Sequence, residues 1–504
     1  MKHSDNRSAA DVAVISLSGR LLSLLGRTMY TAMYGMANPL LNVFNYALNV
    51  PNVLFGVVGT ALNTVMIPVY SSLLAEERRE EAKKFIDNII SISMVLIGAL
   101  VALGILAAPI ISDLLPIADE HSSYFTFALR FLMPVMIFFG FSSIFQGLLQ
   151  ANGVFRLPAL VSAPGGIIMI IYLLFFGDRF GVEGLVFATA LGLLMQPLIM
   201  IPAMYKLGYR YKFSFDLKNP HIRRAAKLSV PVLISVSSYQ INFLFNNTFA
   251  LGFGTVVIME YSQQLVQVFM LTMVYAIASV YFPKLSALWA VADAKGYIDN
   301  LRNALLYTMF VVLPAALGFF ILRYEIMDFL LNWREPEYGT TDIVLAGNLL
   351  GIYSIGIIAI SMKEAMDRAF YSRQDSKTPA FFGFSIMVLN ISTTLILLRF
   401  SNLGLYSMPV AYCVSAFIGS GGLCIRLNRR VGFINRSFVL NIVKVLFAVA
   451  VMVMAAGFAR NLELSQIGLV NLLIPVFCGA AAYLAAAFVL RIPLVLAFLK
   501  KESN

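Results

Sequence analysis

Long apolar runs separated by short polar breaks organise this 504-residue chain. The runs lie at 11–34, 39–73, 86–112, 123–150, 158–176, 184–205, 228–250, 255–289, 303–323, 341–366, 379–398, 404–425, 438–458 and 466–490. Most exceed the ~20 residues a helix needs to cross the hydrocarbon core of a bilayer. The alternation over about ten residues that marks a transmembrane strand is missing. The pattern predicts an all-α polytopic membrane protein of fourteen or so spans.

Composition agrees: 60% of residues are hydrophobic and 12% charged, against about 25% charged in soluble domains. The first run contains Arg20 and Arg27 and is too long for a cleaved leader. Net charge is +11, but the distribution of the cations argues against nucleic acid. They gather in alternate breaks: Arg78 to Lys84, Lys206 to Lys227, Arg368 to Lys377, Arg426 to Arg436, and Lys500 with Lys501. The break at 113–123 has none and carries Asp119 and Glu120. This asymmetry is the positive-inside pattern. It places both termini in the cytoplasm of a cell whose plasma (inner) membrane holds the protein, and it lets the basic loops meet anionic lipid. Cys413, Cys424 and Cys478 lack metal spacing and read as small core residues. No cofactor is expected.

The chain repeats itself. Ile67-Pro68-Val69-Tyr70-Ser71-Ser72-Leu73 returns as Phe282-Pro283-Lys284-Leu285-Ser286-Ala287-Leu288, and Phe85-Ile86-Asp87-Asn88 as Tyr297-Ile298-Asp299-Asn300. Gly147 to Ala159 returns as Arg368 to Ala380. The offsets are 215, 212 and 221 residues. Three ordered matches indicate duplication, with both copies starting on the same side of the membrane. The expected domains are 1–225 (first lobe and linker), 226–430 (second lobe) and 431–504 (two extra helices). Two pseudo-symmetric six-helix lobes around a central cavity suit a transporter, although channels and some enzymes also carry repeats.

Candidate chemistry sits inside the spans. Arg20 and Arg27, seven residues apart, share a face of the first helix. A cation at that depth costs about 2.5–3.5 kcal/mol on insertion scales, and it normally faces a wet cavity or an anion. Asn38, Asn42, Asn45, Asn49 and Asn52 form a stripe on the second helix, suited either to interhelical hydrogen bonds or to sugar hydroxyls in a hydrated cavity. Asn242 and Asn246 share one later helix, and Glu260, Gln264 and Gln267 the next. Glu260 could balance a first-helix arginine, bind a cation or carry a proton. Lys363, Glu364, Asp367 and Arg368 read mainly as a solvated, gate-pairing face. The chain has no G-x-x-x-x-G-K-[ST] run, so transport would draw on a gradient or potential.

Pro51-Asn52-Val53-Leu54-Phe55, Gly59-Thr60-Ala61-Leu62, Gly147 to Gly153 and Arg368-Ala369-Phe370-Tyr371-Ser372-Arg373-Gln374-Asp375-Ser376-Lys377-Thr378-Pro379 resemble motifs of the MurJ/MviN family. The resemblance covers about residues 14–490. It implies a flippase moving an undecaprenyl-diphosphate-linked saccharide, foremost lipid II, to the outer leaflet by alternating access. It also implies a monomer that meets membrane lipids and cell-wall synthesis proteins. Arg20 and Arg27 fall at or beside the family's first-helix arginines. Asn42 stands at the second helix's acid, and Gln264 at the second-lobe arginine. The substrate-binding candidates are therefore Arg20, Arg27, Asn42, Asn45, Asn49, Asn52 and Gln264, with Glu260, Asn242 and Asn246 for gating or coupling. The competing readings are another polyprenyl-linked cargo, a small-molecule antiporter of the MATE type, an enzyme acting on polyprenyl lipids, and a paralogue that no longer transports.

Overall fold

The computed structural model describes residues 2–332, 340–461 and 468–493, and among them there is no strand. Four long helices open the chain: α1 (Lys2–Tyr34), α2 (Pro39–Ala75), α3 (Arg79–Leu114) and α4 (Asp119–Ala151). α5 (Arg156–Ala159) and α6 (Ala163–Phe175) form one interrupted span; after the short α7 (Gly177–Phe180), α8 (Leu185–Leu198) and α9 (Ile201–Lys206) form another. The second half holds α10 (Pro220–Gly252), α11 (Val256–Ala290), α12 (Ala294–Ile321), α13 (Arg323–Leu331), α14 (Thr340–Tyr371), α15 (Lys377–Phe400) and α16 (Ser407–Val431). α17 (Arg436–Arg460) and α18 (Gly468–Val489) follow. Twelve segments among the described residues are long and apolar enough to span a bilayer. α1 and α10, 33 residues each, occupy the two remaining expected positions and are more polar than the helices that follow them.

The repeat is written in the backbone. α4 ends in a Schellman turn, with Val154 N donating to Leu149 O and Gly153 at φ +77°. α14 ends the same way 221 residues on, with Asp375 N donating to Phe370 O and Gln374 at φ +60°. α2 and α11 also match: Arg78 N reaches Leu73 O around Glu77 (φ 60°), and Asp293 N reaches Leu288 O around Ala292 (φ 55°). Neighbours recur as well. α3 packs on α4, α4 on α8 and α6 on α8; correspondingly α12 packs on α14, α14 on α16 and α15 on α16.

Contacts divide the chain into two compact units, 1–257 and 258–504. The sequence puts α10 at the head of the second lobe, but here it groups with the first unit because it packs on α2 and α3. α1 instead lies along α6, and a small-residue contact permits it. A Cβ on Gly166 would lie 2.6 Å from the carbonyl carbon of Leu22. In the second unit α17 and α18 pack on each other, α17 on α12 and α18 on α13. Tyr483 there donates to Phe310 O at 2.7 Å. Large side chains such as Leu103, Leu106, Phe400, Phe447 and Phe458 point outward, as a lipid-facing surface requires and a soluble monomer rarely tolerates.

The Ile-Asp-Asn motif of α3 serves the stretch after α9. Asp87, Asn88 and Ser91 are buried. Asp87 Oδ1 accepts from Tyr209 Oη at 2.6 Å and Lys212 N at 3.3 Å. Asn88 exchanges two bonds with the backbone of Asp216, at 2.7 and 2.8 Å. Ser91 Oγ accepts from Ser214 N at 3.1 Å. An extended segment has no internal partners for its N–H and C=O groups, and these side chains supply them. Burial and the bond to Asp87 hold the Tyr209 hydroxyl above its usual pKa.

Candidate functional site

The depth of the α1 arginines follows from what they lie beside. Gly19 sits against Ser162 and Ala163, Gly26 against Gly166 and Met169, and Tyr34 Oη donates to Gly177 O. α1 therefore runs parallel to α6. The pair brackets the middle of the 156–175 span, Arg20 just before it and Arg27 beyond it, near the level of Met169. Arg20 is exposed and Arg27 half-buried. A guanidinium at such depth needs water or an anion within reach.

The asparagine stripe divides. Asn42 is buried, and both ends of its amide are used. Its Nδ2 donates to Met36 O and Asn38 O, each at 2.9 Å, and its Oδ1 accepts from Val257 N at 3.0 Å. That last bond satisfies an N–H in the first turn of α11, a group with no partner inside its own helix. Asn45 is also buried; its Nδ2 donates to Leu41 O at 2.9 Å and its Oδ1 accepts from Tyr30 Oη at 3.1 Å, tying α2 to α1. In this structure Asn42 and Asn45 make interhelical bonds, the first of the two roles the stripe suggests. Asn38 caps α2 through Leu41 N. Asn49 is buried, while Asn52, the last of the row, is exposed.

On α10, Asn246 Nδ2 donates to Asn242 Oδ1 at 2.9 Å, and both residues are half-buried. Thr248 bonds Tyr46 of α2 at 2.7 Å. Sequence reasoning missed Tyr30, Tyr46 and Thr248, since nothing in their spacing marks a tertiary partner. On α11, Glu260 is buried and Gln264 half-buried.

Other expectations change. Lys363 pairs with Asp367 at 2.6 Å and Arg368 with Glu364 at 2.7 Å. The expected pairing is present, but Asp367 is buried, so this is not a solvated face. Asp119 and Glu120 form the first turn of α4 rather than a loop, where acids complement the helix dipole. Cys413 and Cys424 are half-buried, but Cys478 is exposed on α18 rather than in a core. Among the described residues no His, Cys, Asp and Glu group could hold a metal.

The fold is that of a multi-pass, all-helical membrane protein. The solved structure of an inward-facing multidrug resistance MATE family transporter of the MOP superfamily covers 83% of the chain and 98% of itself, with a TM-score of 0.64 at 17% identity. A structure of lipid II flippase MurJ in an inward closed conformation reaches 0.81 at 20% identity, covering 96% and 99%. The chain belongs to the MurJ family: the family model described as lipid II flippase MurJ matches residues 32–477. A relative from Bdellovibrio bacteriovorus, named a probable lipid II flippase MurJ, is 24% identical over 96% of this chain and 94% of its own length. One of the same name from Vibrio cholerae is 25% identical over 82% and 81%. These relatives are named as flippases and transporters, not enzymes, and the family places the chain in the inner membrane.

Proposed function

We propose that this protein carries an undecaprenyl-diphosphate-linked saccharide, lipid II foremost, from the cytoplasmic to the outer leaflet by alternating access. The observation that carries this reading is the α1 pair, Arg20 exposed and Arg27 half-buried on either side of mid-span, in a chain of the MurJ family. The guanidiniums hold the diphosphate, whose planar bidentate recognition favours arginine. Asn49, Asn52 and Gln264 meet the sugars. Asn45 keeps α2 in register with α1, and Asn42 ties it to the start of α11. Asn242, Asn246 and Glu260 couple or gate the change of access. Both termini lie in the cytoplasm, and the protein works as a monomer beside cell-wall synthesis proteins. An inside-negative potential assists outward movement, since each charge gains about 2.3 kcal/mol per 100 mV.

The test is complementation. The resident lipid II flippase of a bacterium is depleted while this chain is expressed. Growth is expected to be rescued by the native chain and lost with Arg20→Ala or Arg27→Ala at equal membrane abundance. Failure of the native chain, once it is shown to be in the membrane, contradicts lipid II as cargo; rescue by both variants contradicts the arginine assignment.

A further inference from the structure

The stretch after α9 combines three properties that the transport reading leaves unused. First, it lies outside any helix and exposes both rings and cations. Phe213, Phe215 and Leu217 alternate in sequence with Lys212, Ser214, Asp216 and Lys218, while Tyr211 turns inward, its Oη bonded to Ser91 Oγ at 2.9 Å. The apolar row is open, with Phe213 73% and Leu217 56% exposed. Second, the stretch is fixed in place by the Asp87, Asn88 and Ser91 bonds. Third, a cavity of about 200 Å³ lies beneath it, walled by Ile90, Met94, Phe141, Phe145, Met204 and Tyr209 among others. Its walls are mainly hydrocarbon and aromatic ring.

Two observations point to what fills it. Met94 belongs both to the cavity wall and, with Val95 and Leu96, to the outward-facing apolar surface of α3. The cavity is therefore continuous with the lipid-facing belt. Lys206, Arg210, Lys212 and Lys218 stand along the stretch against the single acid Asp216, which suits the negative surface of an inner leaflet. Exposed aromatic rings settle at headgroup level.

We propose that residues 207–218 form a strap lying in the headgroup layer of the cytoplasmic leaflet, and that the cavity beneath binds one acyl chain of an anionic phospholipid whose phosphate rests on the strap's cations. The site is separate from the α1 arginines and does not depend on which cargo is carried. It rests on the cytoplasmic placement of the basic breaks.

Native mass spectrometry of the full-length protein in detergent tests this, using phosphatidylglycerol and phosphatidylcholine of identical chains. The native protein is expected to retain phosphatidylglycerol selectively. K206Q/R210Q/K212Q weakens that retention about tenfold or more. Met94→Trp, which fills the cavity from its lipid side, abolishes it. Equal retention of the two lipids by the native protein, or undiminished phosphatidylglycerol on both variants, overturns the proposal. A spin label at Phe213→Cys, in a protein with Cys413, Cys424 and Cys478 changed to Ser, gives a second readout that needs no cavity variant. In phosphatidylglycerol bilayers the label is expected to be open to oxygen and shielded from an aqueous nickel chelate. Free access of the chelate overturns the strap.

Discussion

The two copies of the repeat use the same motif in different ways. On α3, Asp87 and Asn88 are buried and bind the backbone of the long connection to α10. On α12, Asp299 is exposed and pairs with Arg302, while Arg302 Nε donates to Phe433 O at 2.6 Å. The difference follows from what comes next in the chain. The connection from α9 to α10 runs from Leu207 to Asn219, whereas α16 and α17 are joined by Gly432 to Asn435 alone. A long extended connection leaves many backbone groups to satisfy, while in the short one Asn428 and Asn435 accept from Ile434 N and Phe438 N. A second contrast lies in the membrane. Gly166 lets α1 close on α6, while Met387 stands 221 residues on, and α10 packs on α2 instead. Duplication thus supplied two similar sets of helices whose first helices have different neighbours.

The largest effect that breaks this contrast is expected from Gly166→Val. Its side chain meets the backbone of Leu22, so α1 must move away, at a cost on the order of 3 kcal/mol. Met387→Val should cost about 1 kcal/mol. Thermal unfolding in detergent compares them, and equal losses would remove the glycine's special role. Next come the clamps. Asn88→Ala and Asp87→Ala each orphan buried backbone or hydroxyl groups, for about 2–3 kcal/mol. Asp299→Ala breaks one exposed ion pair, for at most about 1 kcal/mol. Similar melting shifts at Asp87 and Asp299 would mean that the motif does the same work in both copies.

Smaller effects sharpen the comparison. Gly153→Ala places a Cβ in the left-handed region, for about 1–2 kcal/mol. Gln374→Gly relieves the same cost at the matching turn, so the two variants should shift the melting temperature in opposite directions. Tyr209→Phe removes one hydrogen bond, for about 1 kcal/mol, and it also changes the alkaline behaviour. The Tyr209 hydroxyl titrates above its unfolded value of about 10. Its contribution is therefore complete below that pH and fades as pH rises through the elevated folded value. The variant's unfolding curve should be flatter than the native one above pH ~10. The substitution leaves the second copy untouched, so it isolates the first clamp.

Much of the fold was legible along the chain. Apolar runs located the helices, and three motif pairs revealed the duplication. The backbone turns at Gly153 and Gln374, and at Glu77 and Ala292, are its physical counterpart. Roles that depend on distant partners were not legible. The stripe through Asn42 and Asn45 was visible as a period, but its partners are Tyr30 on the preceding helix and Val257, 215 residues away. Asp87 and Asn88 were visible as a repeated motif, yet their partners lie more than a hundred residues on. Asp119 and Glu120 looked like loop acids because α4 begins with polar residues before its apolar run. Arg20 and Arg27 stood out from sequence alone, since the rarity of a cation in an apolar run is itself the signal.

The central claim is that cations on α1 carry a diphosphate lipid across the membrane, and reconstitution tests it most directly. Purified protein in liposomes loaded with lipid II is assayed for headgroups that become accessible on the opposite leaflet. The account expects translocation by the native chain and its loss with Arg27→Ala at unchanged melting temperature. Translocation undiminished by that substitution, or none by a folded native chain, would contradict it.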